Sequence, residues 1–429
     1  MSGFRIVEHQ IPCSYVREFP GALAGDQEDV LHLAVKQYIP LDNPNPKPGD
    51  VTIIGAHANG FPKELYEPLW EDLLTLAKKH NFRIRSIWIA DVAHQGQSSV
   101  LNEQLLGNDP GWFDHPRDLM HMINLKREEM SRPLVGIGHS MGGNNLVNVA
   151  LWSPRLFAGL ILIDPVIQKS SAEFNPEDAK PSIARLSTFR RDVWPSREDA
   201  AKSFAKSPFY QSWDKRVFDR WVKYGLRELP TLLHPETQTA NKSPQVTLTT
   251  AIAHEVHTFL RPNFEGYGQK TGKPPNRSTH PDLDPDQKHT YPFYRSEGPR
   301  TLARLPEVRP SVLYIFGGLS DTSSPVTNKM KLEYTGIGVG GSGGAGLGRV
   351  KGVTFEDIGH LIPMEASTRT AEACAEWLDG GEGELGRWRR EDDEWRAMWS
   401  KKSLREKQDV SEKWKEMMGG DPRKKQSKI

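Results

Sequence analysis

The sequence predicts an α/β fold: a mostly parallel central sheet flanked by helices, with a large, mainly helical insertion after the sixth strand. Three observations carry this prediction. Short runs at 51–56 and 159–163 are apolar throughout and rich in branched residues, as strands buried on both faces are. Segments with helical periodicity fill the intervals, a spacing that makes sequential strands parallel. At 136–143 a serine flanked by glycines stands between one such strand and the helix after it, reading Gly-Ile-Gly-His-Ser-Met-Gly-Gly.

Taken in order, residues 4–7 and the alternating 30–35 predict the first strands, and a proline-rich turn at 43–50 leads into the strand at 51–56. That strand runs into His57-Ala58-Asn59-Gly60-Phe61-Pro62, and a helix follows with Leu65, Leu69, Leu73 and Leu76 on one face. Next come a strand at 84–89, a loop at 91–98, a helix near 117–130, the serine turn with its helix at 144–151, and the strand at 159–163. The alternation stops at Pro165 and resumes at 311–316. Between these points Trp213, Val217, Trp221 and Tyr224 mark one helical face, 249–260 reads as another helix, and 266–290 as a polar, proline-bearing loop. Beyond 316 come a glycine-rich run at 336–348, read as a flexible insert, a strand at 353–355 and a helix at 366–378. Trp388, Trp395 and Trp399 form one stripe in the charged tail, and Val410, Trp414 and Met418 another. The expected organisation is therefore a core in two parts, 1–165 and 306–385. A helical lid at 166–305 interrupts it, and tryptophan-rich helices at 386–429 dock on it in cis. An insertion at this point lies over the C-terminal edge of the sheet, where ligands bind in open α/β folds.

Composition narrows the function. Lys+Arg number 56 against 55 Asp+Glu, so no global basic field points to nucleic acid. Two cysteines, Cys13 and Cys374, exclude a disulfide framework and fit a reducing compartment. No apolar run approaches the roughly 18 residues of a membrane span, and the first residues lack the apolar core of a secretory signal. The chain closes on Ser427-Lys428-Ile429, a small, basic, aliphatic tripeptide similar to the peroxisomal address, which predicts a peroxisomal import receptor as a partner. Without that address the chain is expected in the cytoplasm.

The serine turn carries the chemistry. A serine hydroxyl needs an imidazole to take its proton, and the imidazole needs a carboxylate to fix its tautomer. After Ser140, Asp321 follows one late strand and His360 the next, the chain order expected of such a set. Ser140 is thus the expected nucleophile, His360 the base and Asp321 the acid. Asp164, which also ends a strand, is the alternative acid. Gly138 and Gly142 are expected to make room at the turn. The Met141 N–H at the helix start is one expected oxyanion donor. Other patterns fail on context. Gly338 to Gly343 fits a dinucleotide fingerprint but follows no buried strand, and the acidic run at 282–286 lacks the later residues of a calcium loop. No cysteine and histidine spacing suits zinc, so no metal or cofactor is expected.

The His57 to Pro62 loop, the 91–98 loop, the Gly-His-Ser-Met-Gly turn, the loop to Asp321 and the Gly-His-x-x-Pro-x-Glu end at 359–365 together resemble the α/β-hydrolase superfamily. More narrowly, the long lid, Arg191-Asp192-Val193-Trp194-Pro195, the glycine-rich insert, the tryptophan-rich tail and the Ser-Lys-Ile end resemble fungal hydrolases of host-selective toxin biosynthesis of the AK-toxin type. The resemblance implies a peroxisomal serine hydrolase of secondary or lipid metabolism. It also implies a second oxyanion donor after His57, taken as the Phe61 N–H, with Gly60 or Asn59 as alternatives. The expected substrate is a small-molecule ester or thioester of an apolar acyl group, cleaved through an acyl-enzyme. Alternatives on the same fold are a C–C bond hydrolase, an acyltransferase or a non-catalytic binding protein.

Overall fold

Alternation of side chains across each strand splits the apolar residues into two buried layers. Ile53, Ile87, Ile161 and Ile315 face one cluster, while their neighbours Ile54, Trp88, Leu160 and Tyr314 face the other. The computed structural model, which describes residues 3–169, 182–235, 244–268, 271–284 and 290–419, places these residues in one eight-stranded sheet. Its strands are β1 (Phe4–Pro12), β2 (His32–Pro40), β3 (Val51–Ala56), β4 (Ile84–Ala90), β5 (Leu134–His139), β6 (Phe157–Ile163), β7 (Ser311–Gly317) and β8 (Val350–Phe355). They lie in the order β1-β2-β4-β3-β5-β6-β7-β8. The pairings made by β2 are antiparallel and the rest parallel, as the crossovers of a doubly covered sheet require.

Helices cover both faces. On one side α1 (Glu67–Ala77) buries Leu69, Trp70 and Leu73; on the other α2 (Asp114–Leu125) buries Leu119 and Met122, beside α3 (Met141–Trp152), whose residues are buried through Leu151. Truncating a fully buried side chain such as Trp88 to alanine is expected to cost about 3–5 kcal/mol.

Between β6 and β7, neighbours in the sheet, the chain leaves the core. It forms α4 (Ile183–Thr188), α5 (Arg197–Ala205), α6 (Lys215–Tyr224), α7 (Ile252–Phe259) and α8 (Glu297–Arg304). It also adds a small sheet from Val193–Trp194, Leu226–Glu228 and Val246–Leu248, and a ribbon pairing Arg261–Pro262 with Phe293–Tyr294. The insertion thus carries strands that periodicity alone did not reveal, each only two or three residues long. Trp221 of α6 and Trp213, which lies just before the helix rather than on it, pack inward and meet the Phe61 ring edge-on at 6.1 and 5.7 Å.

After β7 come α9 (Pro325–Tyr334), the glycine-rich run, β8, α10 (Ser367–Leu378) and α11 (Glu384–Ser400). The glycine-rich run, expected to be flexible, is a hydrogen-bonded loop, because Gly336 and Gly338 donate to the carbonyls of Leu305 and Pro306. Asp282, from the discarded calcium pattern, is spent on Arg261, Tyr294 and Ser296, and Asp286 lies outside the described residues. In the tail, Arg132 covers Trp388 and Arg155 covers Trp395, so α11 lies against the core, while Trp414 and Met418 are exposed. Ser427, Lys428 and Ile429 lie outside the described residues.

Candidate active site

The turn from β5 into α3 is tight enough to dictate its residues. A Cβ on Gly138 would sit 2.6 Å from the Gly142 carbonyl oxygen, and one on Gly142 would sit 2.2 Å from that of Ala56. Both positions therefore require glycine. The price of the bend falls on Ser140, which holds φ 57° and ψ −119°, a strained conformation for a residue with a side chain. That strain raises its hydroxyl at the head of α3, where Oγ lies 2.8 Å from His360 Nε2.

His360 sits in the turn after β8 and reaches back over the sheet. Its Nδ1 lies 2.6 Å from Oδ2 of Asp164. With Nδ1–H donated to that carboxylate, Nε2 is left as the acceptor for the Ser140 hydroxyl, which is the tautomer that general-base catalysis needs. The expected acid, Asp321, is elsewhere. It is exposed on the loop after β7, and the carboxylate against His360 is the alternative, Asp164. The reason is local. Past Gly317 the chain turns so that the hydroxyls of Ser320, Thr322 and Ser323 point at Asp164, while the intervening Asp321 points to water.

Asp164 is correspondingly well held. Ser320 donates to Oδ2 at 2.5 Å and Thr322 at 2.9 Å; Ser323 donates to Oδ1 at 2.5 Å and the Gly317 N–H at 3.3 Å. Burial alone raises this carboxyl, but hydrogen bonding and attraction to His360, with the bonds from Ser320 and Ser323, hold it well below the usual carboxylate range. Its φ of 39° is a second strained backbone at the site. Beneath it, the buried Lys331 of α9 donates from Nζ to the Pro165 carbonyl at 2.8 Å. None of these supporting residues was singled out from sequence. The run Ser320-Asp321-Thr322-Ser323 was the available signal, three hydroxyls around one carboxylate.

The loop after β3 offers its amides unequally. The Ala58 N–H is donated to the Tyr66 hydroxyl at 2.8 Å, and the Gly60 N–H to Gln95 Oε1 at 2.8 Å. The Phe61 N–H makes only a long contact, 3.4 Å, with the Ala58 carbonyl. Of the three it is the least committed. Met141 opens α3, where first-turn amides have no partner within the helix. Asn59 uses its side chain to hold the insertion, donating to the Glu255 carbonyl of α7 at 3.0 Å. His94 is buried and bonded to Thr258 of the same helix at 2.8 Å. Glu255 is paired with Arg190 and Ser187. The insertion is thus tied to the loop on which the Phe61 amide depends.

Comparison with known proteins agrees with this architecture. A family model described as "Alpha/beta hydrolase family" matches residues 53–376. "Type I acyl-CoA thioesterase mpaH" of Penicillium roqueforti (strain FM164) is 42% identical over 403 residues, covering 91% of this chain and 90% of the relative. A protein of the same description from Penicillium brevicompactum is 41% identical over 437 residues, covering 99% of this chain and 98% of its own. "Abhydrolase domain-containing protein AKT2" of Alternaria alternata is 28% identical over 254 residues, 58% of this chain and 84% of the relative. Among solved structures, the peroxisomal alpha-beta-hydrolase Lpx1 of Saccharomyces cerevisiae superposes with a TM-score of 0.66 at 15% identity, covering 95% of this chain and 100% of that one, a likeness of fold. The chain belongs to the α/β hydrolase family.

Proposed function

We propose that this enzyme hydrolyses acyl-CoA-type thioesters through an acyl-enzyme on Ser140, with His360 as base and acid and Asp164 as the orienting carboxylate. The observation that carries the reading is the unbroken line Ser140 Oγ, His360 Nε2, His360 Nδ1, Asp164 Oδ2, with steps of 2.8 and 2.6 Å across the ring. The choice of thioester over ester draws on relatives of that description at 41–42% identity along nearly the whole chain.

In the acylation step Ser140 Oγ attacks the thioester carbonyl carbon while His360 Nε2 takes its proton. The carbonyl oxygen becomes an oxyanion, received by the N–H groups of Met141 and Phe61. Collapse breaks the C–S bond, and His360 returns the proton to the departing thiolate. A water then repeats the sequence on the acyl-enzyme, releasing the acid and restoring Ser140. Asp164, fixed as an anion, stabilises the imidazolium formed twice per turnover. The insertion over the sheet acts as a lid, a reading supported by its Trp213 and Trp221 rings, which offer an apolar acyl chain an aromatic surface beside Phe61. The Ser427-Lys428-Ile429 tripeptide directs the chain to the peroxisome, and a fluorescent fusion should lose punctate import when those residues are deleted.

The test combines two measurements on the purified chain. A fluorophosphonate probe should label the native protein and leave Ser140→Ala unlabelled, and acyl-CoAs of graded chain length should release free thiol. No labelling of the folded native protein would remove the serine mechanism. Labelling with turnover of p-nitrophenyl esters but of no acyl-CoA would move the substrate to esters.

A further inference from the structure

We propose that Tyr66 and His139 are positioning residues that tie the oxyanion loop to the backbone of His360. The inference rests on the catalytic reading above and adds to it two side chains that reach the base through its backbone carbonyl and, for His139, through a ring centroid 5.2 Å from that of His360.

Three hydrogen bonds, two of them buried, form one line. The Ala58 N–H donates to the Tyr66 hydroxyl at 2.8 Å, that hydroxyl lies 2.9 Å from His139 Nδ1, and His139 Nε2 lies 2.8 Å from the His360 carbonyl oxygen. The protons can be assigned in only one satisfactory way. A carbonyl accepts, so Nε2 must carry the ring proton, which leaves Nδ1 as an acceptor for the Tyr66 O–H. The tyrosine oxygen, having given that proton, uses a lone pair for Ala58. The other tautomer would set a nitrogen lone pair against the His360 carbonyl and leave the tyrosine proton unused.

The line joins three stretches of chain that are distant in sequence. Ala58 lies two residues past β3, in the loop that supplies the Phe61 amide; His139 ends β5 directly before Ser140; His360 follows β8. Tyr66 is 2% exposed and packs face to face on Trp70 with ring centroids 6.2 Å apart, so its hydroxyl has little freedom. His139 is fully buried, and burial, with repulsion from His360, pushes it down to about 3, which keeps it neutral at working pH. Burial pushes the Tyr66 hydroxyl upward, so its proton stays in place. A protonated His139 would present two donors and lose the Tyr66 bond, and its neutrality therefore belongs to the arrangement. The consequence is mechanical: the backbone that carries the base and the loop that carries an oxyanion donor are held at a fixed separation, through the residue next to the nucleophile.

Tyr66→Phe keeps the ring and removes the link; His139→Leu removes both of its bonds; His139→Gln keeps one donor and one acceptor. Misplacing groups around a reacting carbonyl by about 1 Å costs on the order of 10²-fold. Accordingly Tyr66→Phe and His139→Leu should each lower kcat on an acyl-CoA by about 10- to 100-fold with KM nearly unchanged, and His139→Gln should recover part of the loss. The double variant Tyr66→Phe, His139→Leu should be little worse than the poorer single one, because both break the same line.

The deciding readout is inhibitor affinity. A trifluoromethyl ketone analogue of the thioester, which forms the tetrahedral adduct, should weaken in the variants, whereas a non-hydrolysable thioether analogue should bind as it does to the native chain. Equal weakening of both analogues, or losses in kcat that multiply in the double variant, would overturn the proposal. If His139→Leu does not fold, Tyr66→Phe alone decides, since unchanged affinity for the ketone would overturn it equally. Failure of the catalytic reading looks different: the native chain would neither form the ketone adduct nor take the fluorophosphonate label.

Discussion

The loops after β6 and β7 are adjacent at the same edge of the sheet, and each carries an aspartate, yet only one delivers a carboxylate to His360. The loop after β6 places Asp164 directly at the strand end, fully buried, with φ at 39° and its oxygens surrounded. The loop after β7 runs on past Gly317 before reaching Asp321, and by then the side chain is in solvent. What the second loop supplies is support, since its Ser320, Thr322 and Ser323 hydroxyls all converge on Asp164. The lesson is that a carboxylate serves as a catalytic anion when its neighbours supply donors, and a short, strained strand end puts it where those donors converge. Burial without these donors would have protonated it.

The largest effect is expected at the nucleophile. Ser140→Ala should lower thioester turnover by about 10⁶, as loss of the serine does in other serine hydrolases, with the unfolding midpoint preserved. Next in size, Asp164→Asn should cost about 10⁴ in kcat, because His360 then loses its tautomer, whereas Asp321→Asn should stay within about twofold. Steady-state kinetics on a single acyl-CoA reads both. Equal losses at the two positions would erase the distinction between the loops.

Smaller effects test the support. Thr322→Val and Ser323→Ala each remove one hydrogen bond to a buried anion, a loss of about 1.5–3 kcal/mol that should appear as a 10- to 100-fold fall in kcat. The acid limb of the pH–rate profile should also move upward, since each lost donor raises Asp164 toward an ordinary carboxylate. A limb unchanged in both variants would assign those hydroxyls to folding alone.

A separate effect, on stability rather than rate, concerns Lys331 beneath the Asp164 turn. Burial pushes its ammonium down to about 8, with the Asp164 charge pulling the other way, against 10.5 for the free group. Between those values the unfolded chain holds the proton and the folded chain has released it, so this residue makes stability rise with pH from about 8 to about 10.5. Chemical unfolding at either end of that window should show the rise in the native protein and a flatter response in Lys331→Met.

Much of this site was legible before any coordinates. The glycines of the serine turn, Ser140, His360 and the succession of buried strands are readable from sequence because each rests on a short-range rule: close backbone approach, buried strands without alternation, and a turn after a strand. The acid did not follow, because Asp164 and Asp321 both lie in loops that follow strands and chain order alone favours the later one. Choosing between them depends on where the loop after β7 points its alternate side chains, a tertiary matter. Tyr66 and Lys331 were illegible for a related reason, since each reads as an ordinary helix residue until its partner arrives from a distant loop. In the segment between β6 and β7, strands of two and three residues leave no periodic trace.

Proton NMR of the His360 ring reports whether that ring is oriented from the loop after β6. A short bond from Nδ1–H to a buried carboxylate gives a far-downfield resonance. That resonance should be present in the native chain, persist in Asp321→Asn and vanish in Asp164→Asn. Its survival in Asp164→Asn together with its loss in Asp321→Asn would contradict the account.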